Sequence, residues 1–584
     1  MSSEFVAFFE DRRAPLGEPA AWRFEGLLES FEAADEDSFR TILSRLELAG
    51  GWTVVALNYE LGYLFEPVAA PPDWSPGRQP LARFWRFTRR VELSADGADA
   101  WLSAQVGDQP AGIGGLRPCM TKADYLAAVD RIKGLISAGD CYQVNLTFPL
   151  DFEWFGLPLA LYARLRQAQP VRYGGFIGNA AQGLVSLSPE LFIERQGERL
   201  VTRPMKGTAD RQLPAERLRQ SAKDCAENLM IVDLLRNDLG RVAENGSVAV
   251  DRLFDIEAYP TVWQMVSEIS AKVVDKSLAD ILRAMFPCGS ITGAPKVRAM
   301  QIAADLEQGE RGSYTGAIGW LAPNGDFRLN VAIRTLDLAA DGGGRLGVGS
   351  GVVADSQAEA EWQECLLKAR FLADSDPGIV LIETLRRENG VYPRLAGHLA
   401  RLQQSAAWFG FQCDLASIEQ KLAALPGDGT WRVRLTLSKQ GEANVACFSL
   451  GDEVPGPRYA ILSDAAIRAE NPMRRHKTSD RALYDAALKG IAENPLLFDI
   501  VFLNERGEVA EGARSNIFVE RDGMLLTPPV ESGALPGVLR AELLASGRAK
   551  AAVLRPEDLA NGFWMGNALR GLIPVTLQAR PEAA

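Results

Sequence analysis

Residues 288–302 read CGSITGAPKVRAMQI, in which small residues precede a pattern that predicts a helix. Pro295 suits the first turn of such a helix, because the backbone N–H groups of that turn have no partner within the helix. Those free N–H groups attract anions. A glycine-rich segment, GVGSGVVADS at 347–356, predicts a turn whose amides can approach a carboxylate closely. Taken alone, each segment is also compatible with a plain structural turn.

Four carboxylates occur in the chain as two pairs, and the members of each pair are three residues apart. Asp224 and Glu227 belong to SAKDCAENLMIVDLLRND, and Glu361 and Glu364 belong to DSQAEAEWQECLLKARFL. Both segments predict helices, and this spacing puts each pair on one helix face. Two such faces opposite one another would suit Mg2+, which prefers a few carboxylates together with water. Two solvated helix faces remain the alternative.

The composition argues against several classes of function. The chain has 584 residues, with 63 Lys and Arg against 75 Asp and Glu, and its net charge of −12 disfavours nucleic acid as a partner. No apolar run is long enough to predict a membrane span, and the first residues lack the pattern of a signal peptide. Seven Cys without a CxxC pair indicate reduced thiols, which predicts a cytoplasmic protein.

Histidine is scarce in this chain. Only 2 His are present, His398 and His476, and both lie in the last third. A Ser-His-Asp triad or a His-rich zinc site is therefore excluded from the first 397 residues. Any chemistry there must use carboxylates, Lys, hydroxyls or backbone amides.

The pattern of the chain divides at ADSDPG, residues 373–378, which follows a long predicted helix. Helices alternate with strand-like runs before this point, and an α+β pattern follows it. We therefore predict a mixed α/β and α+β protein of two parts that are joined by a linker at 373–378. The predicted parts are 1–372, with an N-terminal region 1–106, a Gly/Pro-rich connector 107–118 and a core 119–372, and then 379–584.

Six motifs in the first part carry a family resemblance. They are SLSPELFI (186–193), TRPMKGTADR (202–211), ENLMIVDLLRNDLGRVA (227–243), the 288–302 segment, LNVAIRTL (329–336) and GVVADSQAEAEWQE (351–364). In this order they resemble the chorismate-utilising enzymes, specifically the large component of aminodeoxychorismate synthase. The resemblance implies a fold of sheets with flanking helices, and a Mg2+-dependent replacement of the C4 hydroxyl of chorismate by an amino group.

The resemblance also assigns the ligands. It implies Glu227 and Glu364 as the metal ligands, with Asp224 and Glu361 beside them, because chorismate is a dianion that bare carboxylates would repel. The implied substrate contacts are Arg334 for the enolpyruvyl carboxylate, Gly349 and Gly351 for the ring carboxylate, and Thr292, Gly293, Lys368 and Gln264 around them.

Lys206 separates this family from its relatives. The resemblance implies that Lys206 attacks C2 while Glu190 assists the departing C4 hydroxyl; anthranilate synthases carry Ala at the position of Lys206. A Lys with a pKa near 10.4 is almost fully protonated at pH 7, so burial must lower that pKa. Relatives commonly carry His at Gln264, and Gln can donate a hydrogen bond but cannot carry a proton at neutral pH.

The ammonia that replaces the C4 hydroxyl must be supplied to the first site. Glutamine-hydrolysing partners use a Cys-His-Glu site with its Cys at a glycine-flanked turn, and none of the seven Cys has that context. We therefore predict a separate glutamine amidotransferase subunit or the use of free ammonia.

The second part carries a different set of motifs. They are GHLARL (397–402), RRHKTSDRALYDAA (474–487), AEGARSNIF (510–518), TPPVESGALPGVLR (527–540) and GNALRGL (566–572). They resemble fold-type IV pyridoxal-phosphate (PLP) enzymes, especially aminodeoxychorismate lyase. The resemblance implies Lys477 as the catalytic, cofactor-bearing lysine, Glu511 as the acid at the pyridine nitrogen, and, for the phosphate, Arg401, Gly537, Val538, Asn567 and Ala568.

One departure concerns the start of this second part. Relatives begin with a strand and a glycine-rich aspartate turn before the segment that matches LIETLR, 381–386, and here the linker leads directly into that segment. Part of the small subdomain is therefore missing or replaced by the preceding domain. The resemblance also admits a homodimer that forms through the PLP domain.

The two parts together predict consecutive steps toward 4-aminobenzoate, a folate precursor. The first would make 4-amino-4-deoxychorismate, and the second would eliminate pyruvate from it. Three rivals are an anthranilate synthase fused to an aminotransferase, an aminotransferase of branched-chain or D-amino acids with a degenerate front half, and a chorismate-binding scaffold for a glutaminase. LLES, 27–30, is similar to a tryptophan-binding motif of relatives or is a fragment of a helix face.

Overall fold

A computed structural model of the chain describes residues 5–259, 262–425, 427–450, 457–492, 494 and 496–579. The chain forms two compact units. The first unit is Met1–Ala111, Leu116–Phe152 and Gly156–Ser375, and the second is Gly112–Gly115, Glu153–Phe155 and Asp376–Ala584. The main division falls inside the segment 373–378. Within the described residues, no helix is both long and apolar enough to cross a membrane.

The elements before the division are mostly strands. The strands are β1 (Val6–Glu10), β2 (Ala21–Ala33), β3 (Trp52–Leu57), β4 (Ala82–Leu93), β5 (Gly112–Pro118), β6 (Gln143–Phe155), β7 (Tyr173–Gly178), β8 (Gly183–Ser188), β9 (Leu191–Gln196), β10 (Arg199–Arg203), β11 (Met205–Asp210), β12 (Ala249–Ala258), β13 (Val262–Lys272), β14 (Gly293–Ala294), β15 (Ala317–Leu321), β16 (Phe327–Val331), β17 (Thr335–Leu338) and β18 (Gly343–Val352). The α-helices are α1 (Glu36–Ala49), α2 (Leu61–Phe65), α3 (Ala95–Val106), α4 (Lys122–Ala138), α5 (Pro158–Ala168), α6 (Ala215–Arg219), α7 (Ala222–Gly240), α8 (Leu278–Met285), α9 (Lys296–Leu306), α10 (Ala358–Lys368) and α11 (Arg370–Ala373).

The strands of the first unit pair antiparallel across its centre. β3 pairs with β15, β15 with β16, β16 with β9, β9 with β10 and β10 with β13. A large hydrophobic core lies between these strands and helices α1, α7 and α8, and it includes Phe39, Ile231, Leu235, Ile281 and Leu329. The predicted arrangement of sheets with flanking helices is thus confirmed, and it sets α7 against β11 and β13.

Two local predictions were wrong. The segment 107–118 was expected to be a connector, but its second half forms strand β5. The segment 347–356 was expected to be a turn, but Gly349 and Gly351 lie inside strand β18. In both cases the glycines are placed by packing: a Cβ on Gly114 would collide with the ring of Trp408, and one on Gly349 would lie 2.7 Å from the carbonyl oxygen of Leu146. In these two segments, glycine therefore indicates that another group approaches the backbone closely, and it does not indicate a turn.

The second unit is an α+β structure. Its strands are β19 (Leu381–Glu388), β20 (Thr430–Leu437), β21 (Ala443–Ser449), β22 (Tyr459–Leu462), β23 (Leu497–Leu503), β24 (Val509–Gly512), β25 (Asn516–Arg521), β26 (Met524–Thr527), β27 (Ala549–Ala551), β28 (Phe563–Asn567) and β29 (Gly571–Leu577). Its α-helices are α12 (Leu395–Phe409), α13 (Leu415–Ala423), α14 (Ala482–Gly490) and α15 (Val538–Ala545). β19, β20 and β21 form one antiparallel sheet, and the remaining strands form a second sheet.

Residues from before the linker complete the core of this unit. Phe155 packs into the cluster formed by Leu385, Leu402 and Val433, and its ring stacks on Trp408 at 6.4 Å. The sequence had indicated that part of the small subdomain is missing or replaced. The position of Phe155 agrees with replacement by residues of the preceding segment.

Candidate active sites

Lys206 lies on β11, where the side chains of Gln264 and Asn228 hold the backbone. Gln264 on β13 donates from Nε2 to the carbonyl oxygen of Gly207 at 2.9 Å and accepts from Thr208 Oγ1 at 3.1 Å. Asn228 of α7 donates to the carbonyl oxygen of Lys206 at 3.3 Å. Gln264 therefore acts here as a hydrogen-bonding residue that fixes the strand carrying Lys206.

The electrostatic surroundings of Lys206 favour its neutral amine. Burial and the ammonium group of Lys368 lower the pKa of Lys206, although Glu227, Glu190 and Glu364 oppose that shift. A lower pKa increases the fraction of Lys that can act as a nucleophile at neutral pH.

Glu190 follows β8 at the bend that separates it from β9, and its side chain is buried. Ser290 Oγ donates to Glu190 Oε1 at 2.6 Å. Burial raises the pKa of Glu190 to about 7, although Ser290 and Lys206 oppose the rise. A carboxyl group with this pKa can hold a proton near neutral pH, as a general acid must. The sequence did not indicate Ser290, because its partner Glu190 lies 100 positions away in the chain.

The four predicted metal ligands come from two helices, α7 and α10. Burial raises the pKa of Glu227, which lies 3.9 Å from the Nζ of Lys223. Glu364 forms an ion pair with Lys368 at 2.7 Å, and, although burial opposes the shift, Lys368, Lys206 and Lys223 lower its pKa. The carboxylate of Glu361 helps to raise the pKa of the same Lys223. Asp224 lies against Gly207, which follows Lys206 in the chain.

These carboxylates fit a hard cation by their chemistry. Glu227 and Glu364, from different helices, interact with the same two ammonium groups, those of Lys206 and Lys223. Carboxylate oxygens from two helices that interact with the same lysines are donors of the kind that suits Mg2+. In the part of the chain that the structure describes, no three His, Cys, Asp or Glu side chains form a group that could hold a metal alone. A bound ion would therefore need water or substrate oxygen to complete its ligands.

Gly351 brings the backbone of β18 against Lys206. A Cβ on Gly351 would lie 3.3 Å from Lys206 Nζ and 2.9 Å from the Nε2 of Gln143. The buried amide of Gln143 has no hydrogen-bond partner within the described residues, and the sequence did not indicate it. Lys368 Nζ donates to the carbonyl oxygen of Gly349 at 2.8 Å. Any side chain larger than that of Gly at 351 would fill the space beside the reactive amine.

The other predicted substrate contacts are placed by the backbone. Gly293 has φ +131°, and a Cβ there would collide with the carbonyl oxygen of Gln143. The hydroxyl of Thr292 donates to the carbonyl oxygens of Cys288 and Gly289, each at 3.2 Å. Gly293 thus lies against Gln143, whose amide faces Gly351, and the carbonyl oxygen of Thr292 accepts from the N–H of Asn145 at 2.9 Å.

Arg334 makes a different set of contacts. It has φ +50°, and its guanidinium donates to Gln169 Oε1 at 3.3 Å, while burial lowers the pKa of the guanidinium. The Arg334 carbonyl accepts from the N–H of Leu187, three residues before Glu190. Its role toward a carboxylate stays a prediction.

In the second unit, all seven predicted cofactor residues line one cavity of about 460 Å3. Its size is within the range of small-molecule sites. The predicted residues that it brings together are Lys477, Glu511, Arg401, Gly537, Val538, Asn567 and Ala568.

Lys477 and Glu511 are the titratable groups of this cavity that fit a pyridine ring. Burial, Arg481 and Arg401 lower the pKa of Lys477 to about 8. Burial raises the pKa of Glu511, which accepts hydrogen bonds from the hydroxyl of Tyr484 and, at 2.9 Å, from the N–H of Leu535. These contacts fix the carboxyl group of Glu511 in the cavity.

Arg401 is held by a buried acid that the sequence did not single out. Glu383 on β19 accepts from Arg401 Nε at 2.8 Å and from NH2 at 2.6 Å, and its other contact is His398 Nδ1 at 2.6 Å. Burial alone would raise the pKa of Glu383, but Arg401 and His398 outweigh it and lower that pKa to about 2. The bidentate contact orients Arg401, which also donates to the carbonyl oxygen of Pro536 at 3.3 Å, beside Gly537.

The start of helix α15 lies beside Arg401. Gly537 is its N-cap, and a Cβ there would collide with the side-chain oxygen of Asn516. The N–H of Gly537 already donates to the carbonyl oxygen of Leu535 at 2.8 Å, so the N–H groups of the first turn of α15 from Val538 onward, together with Arg401, form the cradle that fits a phosphate. Asn567 is already used, since it accepts from the N–H of Leu569 and of Arg570 and donates to the carbonyl oxygen of Arg514. A phosphate contact from Asn567 or Ala568 stays a prediction.

Comparison with known proteins assigns both parts of the chain. Residues 10–374 match the family of chorismate binding enzymes, and residues 380–577 match amino-transferase class IV. The aminodeoxychorismate synthase component 1 of Salmonella typhimurium is 44% identical over 338 residues, which cover 54% of this chain and 74% of that protein. Anthranilate synthase component 1 of Thermus thermophilus is 37% identical over 310 residues, which cover 51% of this chain and 65% of that protein.

A solved structure supports the fold of the first part. Anthranilate synthase component I from Streptococcus pneumoniae has a TM-score of 0.53 at 24% identity, covering 61% of this chain and 92% of the other. Together with the two family matches, this likeness identifies the fold that presents Lys206 and Glu190. The chain therefore belongs to the chorismate binding enzymes, and it carries a class IV aminotransferase domain behind the chorismate-binding part.

Proposed function

We propose that this chain makes 4-aminobenzoate from chorismate in two consecutive reactions, one in each part. The observation that supports this most strongly is the presence of two separate reactive lysines with different surroundings. Lys206 lies with the buried acid Glu190, and Lys477 lies in a cavity with Glu511 and Arg401. The similarity to aminodeoxychorismate synthase component 1 supports the first reaction, and the class IV domain supports the second.

In the first reaction, Lys206 acts as the nucleophile. Its neutral amine forms a bond to C2 of chorismate, the C1–C2 and C5–C6 double bonds shift to C1–C6 and C4–C5, and the C4–oxygen bond breaks. Glu190, whose pKa is raised to about 7, gives its proton to the leaving hydroxyl, which departs as water. Ammonia then bonds to C4, both double bonds shift back, and the bond between C2 and the Lys206 nitrogen breaks to release the amine. The product is 4-amino-4-deoxychorismate.

The carboxylates of α7 and α10 would hold Mg2+ in this reaction. Glu227 and Glu364, with Glu361 and Asp224 beside them, would be its protein ligands. Bound there, the ion supplies positive charge that allows a dianion to approach the carboxylates. The backbone of Gly349 and Gly351 and the side chains of Arg334 and Lys368 would hold the carboxylates of the substrate.

We propose that ammonia reaches this site from a separate glutamine amidotransferase, or directly from solution as free ammonia. The relative from Salmonella typhimurium carries the name component 1, which fits a chain that supplies one part of an assembly. A homodimer through the second unit stays a proposal.

In the second reaction, Lys477 acts as the base that removes a proton from the substrate. Bound PLP supplies an electron sink next to the substrate amine. Lys477, with a pKa of about 8, removes the proton from C4 of aminodeoxychorismate, and Glu511 holds a proton at the pyridine nitrogen. Arg401 and the start of α15 hold the phosphate. Breakage of the C3–oxygen bond then releases pyruvate, and the ring becomes aromatic as 4-aminobenzoate.

One assay tests both reactions. The protein is mixed with chorismate, ammonium, Mg2+ and PLP, and the aminobenzoate isomers are separated by chromatography. We expect 4-aminobenzoate, and we expect it to be lost in Lys477→Ala. Accumulated aminodeoxychorismate would support the first reaction only. The 2-isomer would instead identify an anthranilate synthase and overturn the role given to Lys206, and no aromatic product would favour the aminotransferase or the scaffold.

A further inference from the structure

The cavity around Lys477 has many arginines, and most of them are engaged. Arg401 is held by Glu383, Arg474 donates to the Tyr484 hydroxyl at 2.7 Å, and Arg481 donates to the carbonyl oxygen of Ala513 at 2.8 Å. Arg514 donates to the carbonyl oxygen of Phe498. Each of these guanidinium groups is thus oriented by an acceptor within the protein, and Arg401 is already assigned to the cofactor phosphate.

Two arginines on strand β20 differ from the others. Arg432 and Arg434 both line the cavity, and neither forms a hydrogen bond or an ion pair with any residue that the structure describes. Arg432 only stacks on Phe448, with its guanidinium carbon 4.7 Å from the ring centre.

Strand alternation explains why both arginines face the cavity. Val433, Leu435 and Leu437 are buried in the core on one face of the sheet, so Arg432 and Arg434 lie on the other. Their cross-strand neighbours do not neutralise them: Thr384 and Ala446 are opposite Arg434, and Phe448 is opposite Arg432. The chain thus presents two positive charges, two residues apart, on the cavity wall.

The same sheet relates this pair to Lys477. The N–H of Ile382 on β19 donates to the carbonyl oxygen of Lys477 at 2.8 Å, and β20 pairs with the other edge of β19. Arg434 and Arg432 lie opposite Thr384 and Arg386, two and four residues along β19 from Ile382, so roughly 12 to 16 Å separate their backbones from that of Lys477. A small ring with an amine and a carboxylate at opposite ring positions fits between them, because the long side chains of Lys477 and of both arginines line the same cavity.

We propose that Arg432 and Arg434 bind a carboxylate of the amine substrate and select anionic, dicarboxylate amines for the reaction at Lys477. This role rests on the second reaction of the proposed function and names the substrate class of its site. The phosphate of the cofactor is served by Arg401 and the start of α15, so the charge of β20 is left for the substrate. Charge-assisted contacts between guanidinium and carboxylate groups are strong and directional.

The test uses the full chain loaded with PLP and supplied with 4-amino-4-deoxychorismate. The variants are the double change Arg432→Ala/Arg434→Ala, the double change Arg432→Lys/Arg434→Lys, and Arg548→Ala as a matched control at an exposed arginine outside the cavity. We expect the double Ala variant to raise KM about tenfold or more with kcat changed less than about threefold, and the Lys variant to recover part of the loss. The absorbance of bound PLP verifies that the variants retain the cofactor.

A binding measurement separates this role from the proposed reaction. Isophthalate, with carboxylates at ring positions 1 and 3, and benzoate, with one, are titrated while the absorbance of bound PLP is followed. We expect isophthalate to bind more tightly than benzoate, and about tenfold more weakly in the double Ala variant. An unchanged KM, or equal isophthalate affinity in wild type and double Ala variant, would overturn the role of the arginines. If wild type makes no 4-aminobenzoate but isophthalate binding depends on the arginines, the reaction is wrong and the carboxylate site stands.

Discussion

The two reactive lysines lie in surroundings of opposite charge. Around Lys206, the acids Glu227 and Glu364 come from different helices and both interact with the ammonium groups of Lys206 and Lys223. Around Lys477, the buried acid Glu383 is paired with Arg401 and His398, and further guanidinium groups line the cavity. The first site thus has a surplus of oxygen donors that suits a cation, and the second has a surplus of cations that suits a phosphate and carboxylates. Under the proposed function, both reactions would handle anionic substrates, and a bound metal ion would be required at the first site alone.

The largest effect should come from removing each lysine separately. Lys206→Ala should lower the consumption of chorismate by about 10³-fold, because it removes the nucleophile, and should leave the conversion of supplied aminodeoxychorismate intact. Lys477→Ala should do the reverse, with loss of 4-aminobenzoate and accumulation of aminodeoxychorismate. Chromatography of both products measures this, and Lys489→Ala, at an exposed helix position, is the matched control. If either variant abolished both reactions while remaining folded, the two sites would not be independent.

The charge difference between the two sites also predicts that removal of metal separates the two reactions. With EDTA in place of Mg2+, chorismate consumption should fall by about 10²-fold or more, since the carboxylates of α7 and α10 would then repel the substrate. The conversion of supplied aminodeoxychorismate should not change, because its anion site is built from guanidinium and N–H groups. Re-addition of Mg2+ is the control for irreversible damage. A loss of both activities with EDTA would contradict the contrast between the sites.

A smaller effect tests Glu383, the buried acid that pairs with Arg401 in the second site. Glu383→Gln should weaken PLP binding by about tenfold, because Arg401 loses its bidentate partner and the buried guanidinium is left unpaired. The titration of PLP absorbance measures it, and Glu388→Gln, at an exposed position of the same strand, is the control. An unchanged PLP affinity would show that Arg401 does not need Glu383.

The pH dependence of this pair has a defined sign. The pKa of Glu383 is lowered to about 2, below its value of about 4.3 in an unfolded chain. The stability that it contributes is therefore fully present above about pH 4.3 and is lost as the pH falls toward 2. Thermal unfolding of wild type and Glu383→Gln should accordingly differ at pH 7 and converge in strong acid.

The sequence predicted the residues that form motifs and missed those that act through distant contacts. Lys206, Lys477 and Glu511 are found because their neighbours in sequence belong to recognisable patterns. Glu383 and Ser290 could not be assigned in this way, since each matters through a partner that is 15 or more residues away. The amide of Gln143 gave no signal either, because its importance lies in facing Gly351 across the fold.

The misjudged segments have a common physical cause. Glycine at Gly114 and Gly349 was interpreted as freedom to turn, whereas both glycines lie in strands that pass close to other groups. Sequence alone does not distinguish a glycine needed for its backbone angles from one needed for its missing Cβ. The helices α7, α10 and α15 were predictable, because their periodic apolar residues and starting positions are local features.

The smallest predicted effect concerns the hydrogen bond from Ser290 to Glu190, which corresponds to the hydrogen bond from Tyr484 to Glu511 in the second site. The hydroxyl donates to the carboxylate and so opposes the rise of its pKa to about 7. In Ser290→Ala the pKa of Glu190 should rise further, so the proton that the leaving hydroxyl needs would be retained to higher pH. The alkaline limb of chorismate consumption should therefore move upward, while the rate at pH 7 falls a few-fold through lost positioning of the carboxyl group. Ser103→Ala, at an exposed helix position, controls for general damage, and the second reaction should keep its pH profile. An alkaline limb that stayed in place would assign that limb to a group other than Glu190, and Glu190→Gln, which cannot titrate, would then retain the limb instead of losing it.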